Sequence, residues 1–583
     1  MEKALLSGNE AIARGAYEAG IKVAAAYPGT PSTEILESIS QYKEIYAEWS
    51  VNEKVSLEVA AGASMAGARA LCAMKHVGLN VAADPMFSMS YIGSNGAFII
   101  ISADDPGMHS SQNEQDNRHY ARAAKIPCLE PSNSQEAKDF VKIAAEISEQ
   151  FDCPVIIRMT TRICHTKTVV ELLPRTEVPL KPYQRDIRKR IIVPAHARIR
   201  HQLVEERTLK LQQYSENFKY NYIHQGKGEL GIVASGISYY YTREAFPDAD
   251  VFKLSMSWPL PVKALAEFSK KYLKIYVVEE NDPFIENQLK ISGIKAVGKE
   301  IVPKVNELNQ EIVKNSISSQ KTKKLPIADL PPRPPALCPG CPHTGAFYSI
   351  NKLKLTATGD IGCYTLGAFP PLNSLDTCVC MGASITNAHG IEKSGNPDLK
   401  GKVVAVIGDS TFFHSGLTGL ANMIYNQSKG TVLILDNRTT AMTGHQGHPG
   451  TGKTLRYGDV QEISIENTVK GMGVKDVHLV DPHNIEVMTD ALKKSMAYPG
   501  VSVIIAKRPC IFLLSSEQKQ NIHKVSSEDC IGCKICLGLG CPAISFRDQK
   551  AVINELLCTG CGLCASLCPK QAIKPRKQGV ENG

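Results

Sequence analysis

No apolar run in this 583-residue chain approaches the roughly 18 residues that a membrane-spanning helix needs. The best, KVVAVI and TVLIL, are of strand length. The opening residues, MEKALLSGNEA, also lack the apolar core of a secretory signal. A cytoplasmic protein without a membrane anchor is the expectation. Charge of one sign is not in large excess: 66 Lys and Arg against 58 Asp and Glu leave +8, modest for this length. A nucleic-acid partner is therefore not expected. The basic stretches RDIRKR near 185 and KPRK near 574 read as solvated linker and tail, or as footing for a small acidic electron-transfer partner. There is no short tandem repeat apart from two cysteine runs.

What is abundant is cysteine. Eighteen occur, eight of them in the last 54 residues. In a cytoplasmic chain that number argues for metal rather than for disulfides. The remaining composition, 43% apolar and 21% charged, is that of a globular protein of about four domains.

Composition shifts divide the chain. Residues 1–182 alternate apolar strands with helical patterns, as in IKVAAAYPG and FIIISADDPG. Residues 183–228 are charged and poor in short turns, and read as a linker or arm. Residues 229–312 open on LGIVASGISYYYTREAF, a strand, turn and helix, and later carry IYVVEEN as a strand. Residues 313–336 are rich in Lys, Ser and Pro, which is linker chemistry. Residues 337–515 return to an α/β pattern, and 520–575 hold the cysteine-rich module. The end, RKQGVENG, is expected to be disordered.

The second cysteine run is Cys558-x2-Cys561-x2-Cys564-x3-Cys568-Pro. It resembles the two-cluster 4Fe–4S ferredoxins, in which each trio serves one cubane and the fourth cysteine crosses to the other. On that pattern one cluster takes Cys530, Cys533, Cys536 and Cys568. The other takes Cys558, Cys561, Cys564 and Cys541. The first run departs from the pattern, because four residues, LGLG, separate Cys536 from Cys541 where three are usual. Its two glycines can absorb one extra residue in a loop.

Upstream, KVVAVIGDSTFFHSGLTGLANMIYNQSKGTVLILDN reads as strand, helix and strand. Leu417, Leu420, Ala421 and Ile424 fall on one helical face. In a parallel βαβ unit, Asp409 and Asn437 come to the same carboxyl edge, where ligands bind in open α/β sheets. A carboxylate and an amide oxygen suit Mg²⁺. A Rossmann-like turn without a cofactor gives the same spacing. The stretch resembles the thiamine-diphosphate motif, with Gly408, Asp409 and Ser410 at the GDG and Asp436 and Asn437 at the NN. That resemblance implies Asp409, Asn437 and the carbonyl of Thr439 as ligands. Ser410 in place of glycine is a departure.

Thiamine enzymes also need a carboxylate on the aminopyrimidine. VNEKVSLEVAAGASMAGARA resembles the matching stretch of pyrimidine-binding domains and points to Glu53. Two readings stand for Glu53: that carboxylate, or a first-turn Glu behind an Asn52 cap. Glu58 is the rival further along the helix. YPGTPSTE resembles the substrate loop of pyruvate:ferredoxin oxidoreductases and points to Thr30, and DDPGMHSSQNEQDNR resembles their neighbouring polar loop.

Taken together, CPGCPHTGAFY, GDIGCYTLGAFPPL, MGASITNAHG, GDSTFFHSGLTGL and DNRTTAMTGHQGHPGTG closely resemble the large subunits of indolepyruvate ferredoxin oxidoreductases. These belong to the thiamine-diphosphate-dependent 2-oxoacid:ferredoxin oxidoreductase superfamily. The resemblance covers essentially the whole chain, including domain order. It implies a multidomain α/β fold of doubly wound parallel sheets with a C-terminal α+β ferredoxin-like module. In it 1–182 is the pyrimidine-binding domain, 229–312 a transketolase-C-like domain and 337–515 the diphosphate and Mg²⁺ domain. The implied reaction is oxidative decarboxylation of indolepyruvate, phenylpyruvate and 4-hydroxyphenylpyruvate to the aryl-acetyl-CoA and CO₂, with ferredoxin reduced. Implied partners are a small β subunit carrying the gamma-type domain missing here, ferredoxin and coenzyme A, in a dimer of heterodimers. A non-oxidative decarboxylase and a non-catalytic electron carrier are the competing readings.

Cys338, Cys341, Cys363 and Cys510 match the proximal cluster of related oxidoreductases in placement. A CxxC turn beside unrelated buried thiols is the alternative. Cys378 and Cys380 are expected as core thiols, and Cys72, Cys128, Cys153 and Cys164 as buried or incidental. His343, His414, His445 and His448 fall in glycine-rich loops near the Asp409 edge, as structural donors or proton carriers.

Overall fold

The computed structural model describes residues 2–183, 185–319, 334–515 and 522–576. Residues 320–333 of the Lys- and Pro-rich linker, and the tail beyond 576, lie outside the described residues. The chain divides into two units, Met1–Ala328 and Asp329–Gly583.

The first unit is built on a seven-stranded sheet. Its order is Met256–Trp258, Cys128–Leu129, Val155–Thr160, Phe98–Asp104, Ala70–Lys75, Val23–Ala26 and Tyr46–Trp49. All neighbours are parallel except the edge pair Met256–Trp258 and Cys128–Leu129. Phe98–Asp104 is buried at every position, which is why it opens on the continuous apolar run FIII and not on an alternation. Parallel strands put their carboxyl ends on one edge, so the loops after Ala26, Lys75 and Asp104 share a rim. A second sheet joins Gly231–Ser235, Asp250–Leu254, Ile275–Val278 and Ala296–Val297 in parallel, with Tyr222–His224 antiparallel at its edge.

The segment 183–228 carries the 23-residue helix Pro194–Glu216 and that edge strand. The helix buries Val204, Arg207, Leu211 and Ser215, and Arg207 donates to Ser90 O at 2.9 Å. Within the same unit, buried Arg118 and Arg158 lie among Asp104, Asp116, Glu130 and Glu279. Buried charges persist only when paired in this way.

The second unit holds a fully parallel six-stranded sheet: Thr377–Cys378, Thr356–Gly359, Val403–Gly408, Gly430–Asp436, Val501–Lys507 and Asp476–Val480. Between its third and fourth strands runs a helix that starts at Asp409–Thr411 and passes through a π turn, Phe412–Gly416, before Leu417–Tyr425. Its inward face centres on Gly416, Leu420 and Met423. Ala421, expected on that face, is exposed, because the π turn rotates the following helix. Two short antiparallel pairs, His523–Val525 with Ile573–Pro575 and Ile544–Arg547 with Lys550–Ile553, frame the cysteine module. Its small core of Leu539, Ala551, Ile553, Leu563 and Ile573 also includes Ile485, from the helix Ile485–Ala497. Tyr348 packs against this core and against the core beneath the six-stranded sheet.

Candidate functional site

In the second unit, Val403–Gly408 and Gly430–Asp436 run side by side, with Gly408 opposite Leu435. Asp409 and Asn437 therefore leave the sheet at the same edge. Asp409 is buried; one carboxylate oxygen accepts from Ser410 N at 2.9 Å and the other from Arg438 N at 2.8 Å. His448 Nε2 lies 3.1 Å from that second oxygen. Burial works against the charge on Asp409, but His448 and these hydrogen bonds hold its carboxyl below the usual range. Burial and neighbouring Asp409 push Asp436 the other way, to about 6. Asn437 Oδ1 accepts from Thr439 N at 3.2 Å, and its Nδ2 lies 3.5 Å from His343 Nε2. Burial lowers His343 to about 4, which keeps it neutral near neutral pH.

Two sequence peculiarities acquire a reason here. A side chain on Gly408 would place its Cβ 2.7 Å from the ring of Tyr364, so only glycine fits. Ser410 Oγ accepts from Thr440 Oγ1 at 2.9 Å, so the loop after Asn437 answers the extra hydroxyl. The donor set is all oxygen, from a carboxylate, an amide and the Thr439 carbonyl, which fits Mg²⁺. Of the four loop histidines, His343, His414 and His448 are buried, and His445 is exposed beside Phe512. No spacing in the sequence singles out His448 as the residue against Asp409.

In the first unit, Glu53 opens the helix Glu53–Met65 behind Asn52, whose side chain accepts from Val55 N at 2.9 Å. Glu53 is nevertheless buried, at 5% exposure, and its carboxylate lies on Gly78, where a Cβ would stand 2.7 Å from Oε1. Glu58 is exposed and pairs with Lys54. Lys75 Nζ donates to Ser110 O at 2.9 Å, and Ser110 Oγ to Thr30 O at 3.2 Å. Burial lowers the Lys75 ammonium, while Asp105 and Glu53 oppose that shift. Thr30, Lys75 and the polar loop after Asp104 thus share one rim.

Apart from Cys378 and Cys380, the cysteines of the second unit fall into three groups. Cys530, Cys533, Cys536 and Cys568 line one cavity. Cys541, Cys558, Cys561 and Cys564 line another, which Cys338 also borders. The LGLG insertion curls as the turn Ile535–Leu539, and Gly540 abuts Pro371, so Cys541 reaches the second cavity despite the extra residue. Cys338, Cys363 and Cys510 are near enough to Cys341 to oppose its ionisation, which burial already disfavours. Cys510 N donates to Asn437 O at 2.9 Å. Four thiols around one space suit an iron–sulfur cubane, whose binding would displace their protons.

Cys378 and Cys380, expected as core thiols, are exposed. Thr377–Cys378 is a two-residue strand at the sheet's edge, with no further strand beside it among the described residues. Cys72, Cys128, Cys153 and Cys164 are buried.

Three family models match the chain: "Pyruvate flavodoxin/ferredoxin oxidoreductase, thiamine diP-bdg" over residues 14–223, "Thiamine pyrophosphate enzyme, C-terminal TPP binding domain" over 360–506, and "4Fe-4S binding domain" over 551–574. Indolepyruvate oxidoreductase subunit IorA of Archaeoglobus fulgidus is 43% identical, covering 99% of this chain and 98% of its own. The subunit of the same name from Thermococcus kodakarensis is 42% identical over the same shares. The 2-oxoglutarate synthase subunit KorA of Archaeoglobus fulgidus is 25% identical over 52% of this chain and 97% of its own. No helix among the described residues is long and apolar enough to cross a membrane.

Proposed function

The chain belongs to the indolepyruvate oxidoreductase subunit IorA family, and from that premise we propose that it oxidatively decarboxylates aryl-2-oxo acids, indolepyruvate among them. The products are the aryl-acetyl-CoA and CO₂, and ferredoxin receives the electrons. A small second subunit completes the enzyme as a dimer of heterodimers. Thiamine diphosphate and 4Fe–4S clusters are its cofactors. When bound, the first supplies an electron sink for cleaving the carboxylate from the carbonyl carbon, and the second take up electrons singly.

The chain's own residues divide the remaining work. Asp409, Asn437 and the Thr439 carbonyl hold Mg²⁺ for the diphosphate, and Gly408 with Ser410 lets the backbone approach it. Glu53 holds the proton at the aminopyrimidine from a buried position that favours a strong hydrogen bond. Thr30 orients the oxo acid. Cys530, Cys533, Cys536 and Cys568 hold one cluster, Cys541, Cys558, Cys561 and Cys564 a second, and Cys338, Cys341, Cys363 and Cys510 a third.

The observation that carries this reading is that Asn437 on the Asp409 edge and Cys510 of the Cys338 group are backbone hydrogen-bond partners. An edge that would hold the cofactor's diphosphate and thiols that would hold a one-electron acceptor are useful to each other only when close. The test is anaerobic reduction of a viologen dye by indolepyruvate, dependent on coenzyme A and on the small subunit. A complex loaded with thiamine and iron that left the dye oxidised would exclude the reading.

A further inference from the structure

The cavity lined by Cys541, Cys558, Cys561 and Cys564 contains one feature that cysteine ligation does not require. Thr559 lines it, and its buried Oγ1 makes no hydrogen bond among the described residues. An unpaired buried hydroxyl costs on the order of 1–3 kcal/mol. A valine would fill the same space without that cost. The hydroxyl is also given room by its neighbour across the joint. Gly340 stands at φ +74°, and a Cβ there would lie 2.2 Å from Thr559 Oγ1. Gly340 follows Cys338 in the CPGC turn, and both Cys338 and Gly340 line the same cavity. The Cys338 loop and the cysteine module thus meet at this hydroxyl, beside the four sulfurs.

We propose that Thr559 sets the reduction potential of the cluster held by Cys541, Cys558, Cys561 and Cys564, by donating its hydroxyl hydrogen to a sulfur of that group. The inference rests on reading these four cysteines as cluster ligands. Hydrogen bonds to cluster sulfurs stabilise the more negative, reduced form and so raise its potential. One electron arrives on the cluster; no bond is made or broken, and the proton stays on Oγ1. The physical effect is to make this cluster the downhill acceptor for electrons from the Cys338 side. The Cys530 group, in its separate cavity, has no such hydroxyl among its lining residues.

The test uses the full chain with its small subunit, prepared without oxygen. Iron and sulfide are counted, and midpoint potentials are read by redox titration with electron paramagnetic resonance. Thr559→Val should keep the iron count and lower one cluster potential, with the oxidised-to-reduced ratio at fixed potential rising up to tenfold, about 59 mV for one electron. Thr559→Ser should restore the original value, and the remaining clusters should not move. Where the valine methyl is not accommodated, Thr559→Ala gives the same reading without the added carbon. Unchanged potentials in an iron-replete valine or alanine variant would overturn the proposal. So would a shift produced only by His523→Phe, since His523 lines the same cavity with its buried Nδ1 unpaired. If the unmodified protein itself lacked iron, the cluster reading would fail instead.

Discussion

The backbone N–H of Cys510 donates to the carbonyl oxygen of Asn437 at 2.9 Å. Asn437 ends the strand edge that carries Asp409, and Cys510 belongs to the thiol group of Cys338, Cys341 and Cys363. One hydrogen bond therefore fixes the distance between an oxygen-donor site and a sulfur-donor site. The loops after two neighbouring strands, Gly430–Asp436 and Val501–Lys507, meet at this bond, so a change to one should be felt at the other.

That link makes the Cys338 group testable by counting. With three clusters the chain should carry about twelve irons, and with two about eight, at four per cubane. Cys510→Ser should remove about four irons and leave the C-terminal module loaded. An unchanged iron count would show that these thiols are only neighbours.

Glu53 and Glu58 provide a matched pair on one helix. Glu53→Gln should lower turnover about 100-fold or more, the usual effect of removing a positioned acid–base group. Bound thiamine, measured after extraction, should change little. Glu58 is exposed and pairs with Lys54, so Glu58→Gln should leave turnover within about twofold. Equal losses in both variants would show that the helix as a whole, not the Glu53 carboxylate, was being disturbed.

Gly408→Ala should be costly through one contact. Its new Cβ would meet the Tyr364 ring at 2.7 Å, an overpacking worth about 1–3 kcal/mol. Loss of bound thiamine and a lower melting temperature are expected. Tyr364→Ala in the same chain should recover part of both. Failure to recover either would mean that the strand end tolerates no side chain for another reason.

Stability should depend on pH through Glu280. Burial raises its carboxyl from 4.5 to about 7, against the pull of Arg158. Below about pH 4.5 the group is protonated folded or unfolded and contributes nothing. As pH rises, the unfolded chain ionises first, so the folded state loses stability until about pH 7. Glu280→Gln should therefore raise the melting temperature at pH 8 and have little effect at pH 5. The gain should be on the order of 2–3 kcal/mol. A variant no more stable than the parent at pH 8 would contradict the sign.

The strand ends at Gly408 and Asp436 were legible because parallel strands buried on both faces leave unbroken apolar runs that stop at polar residues. The cysteine runs were legible because ligation demands fixed spacing. Other features left weaker traces. The helix Pro194–Glu216 buries Val204, Arg207, Leu211 and Ser215, a narrow stripe with two polar members, so no apolar periodicity marks it. Cys378 was expected in the core, yet it lies on a two-residue edge strand. Pairing of His448 with Asp409 depends on how a glycine-rich loop returns to the sheet, which no local pattern encodes.

Tyr348 serves two hydrophobic cores at once, and Ile485 lends its side chain to the smaller. The cysteine module is consequently not a detachable cassette. Excising it would strip the cover from Tyr348 and Ile485 and leave a sticky patch on the remainder, while the excised piece would lack part of its own interior. Heating or denaturant should then melt sheet and module in a single transition, and a gene fragment encoding either alone should yield insoluble material.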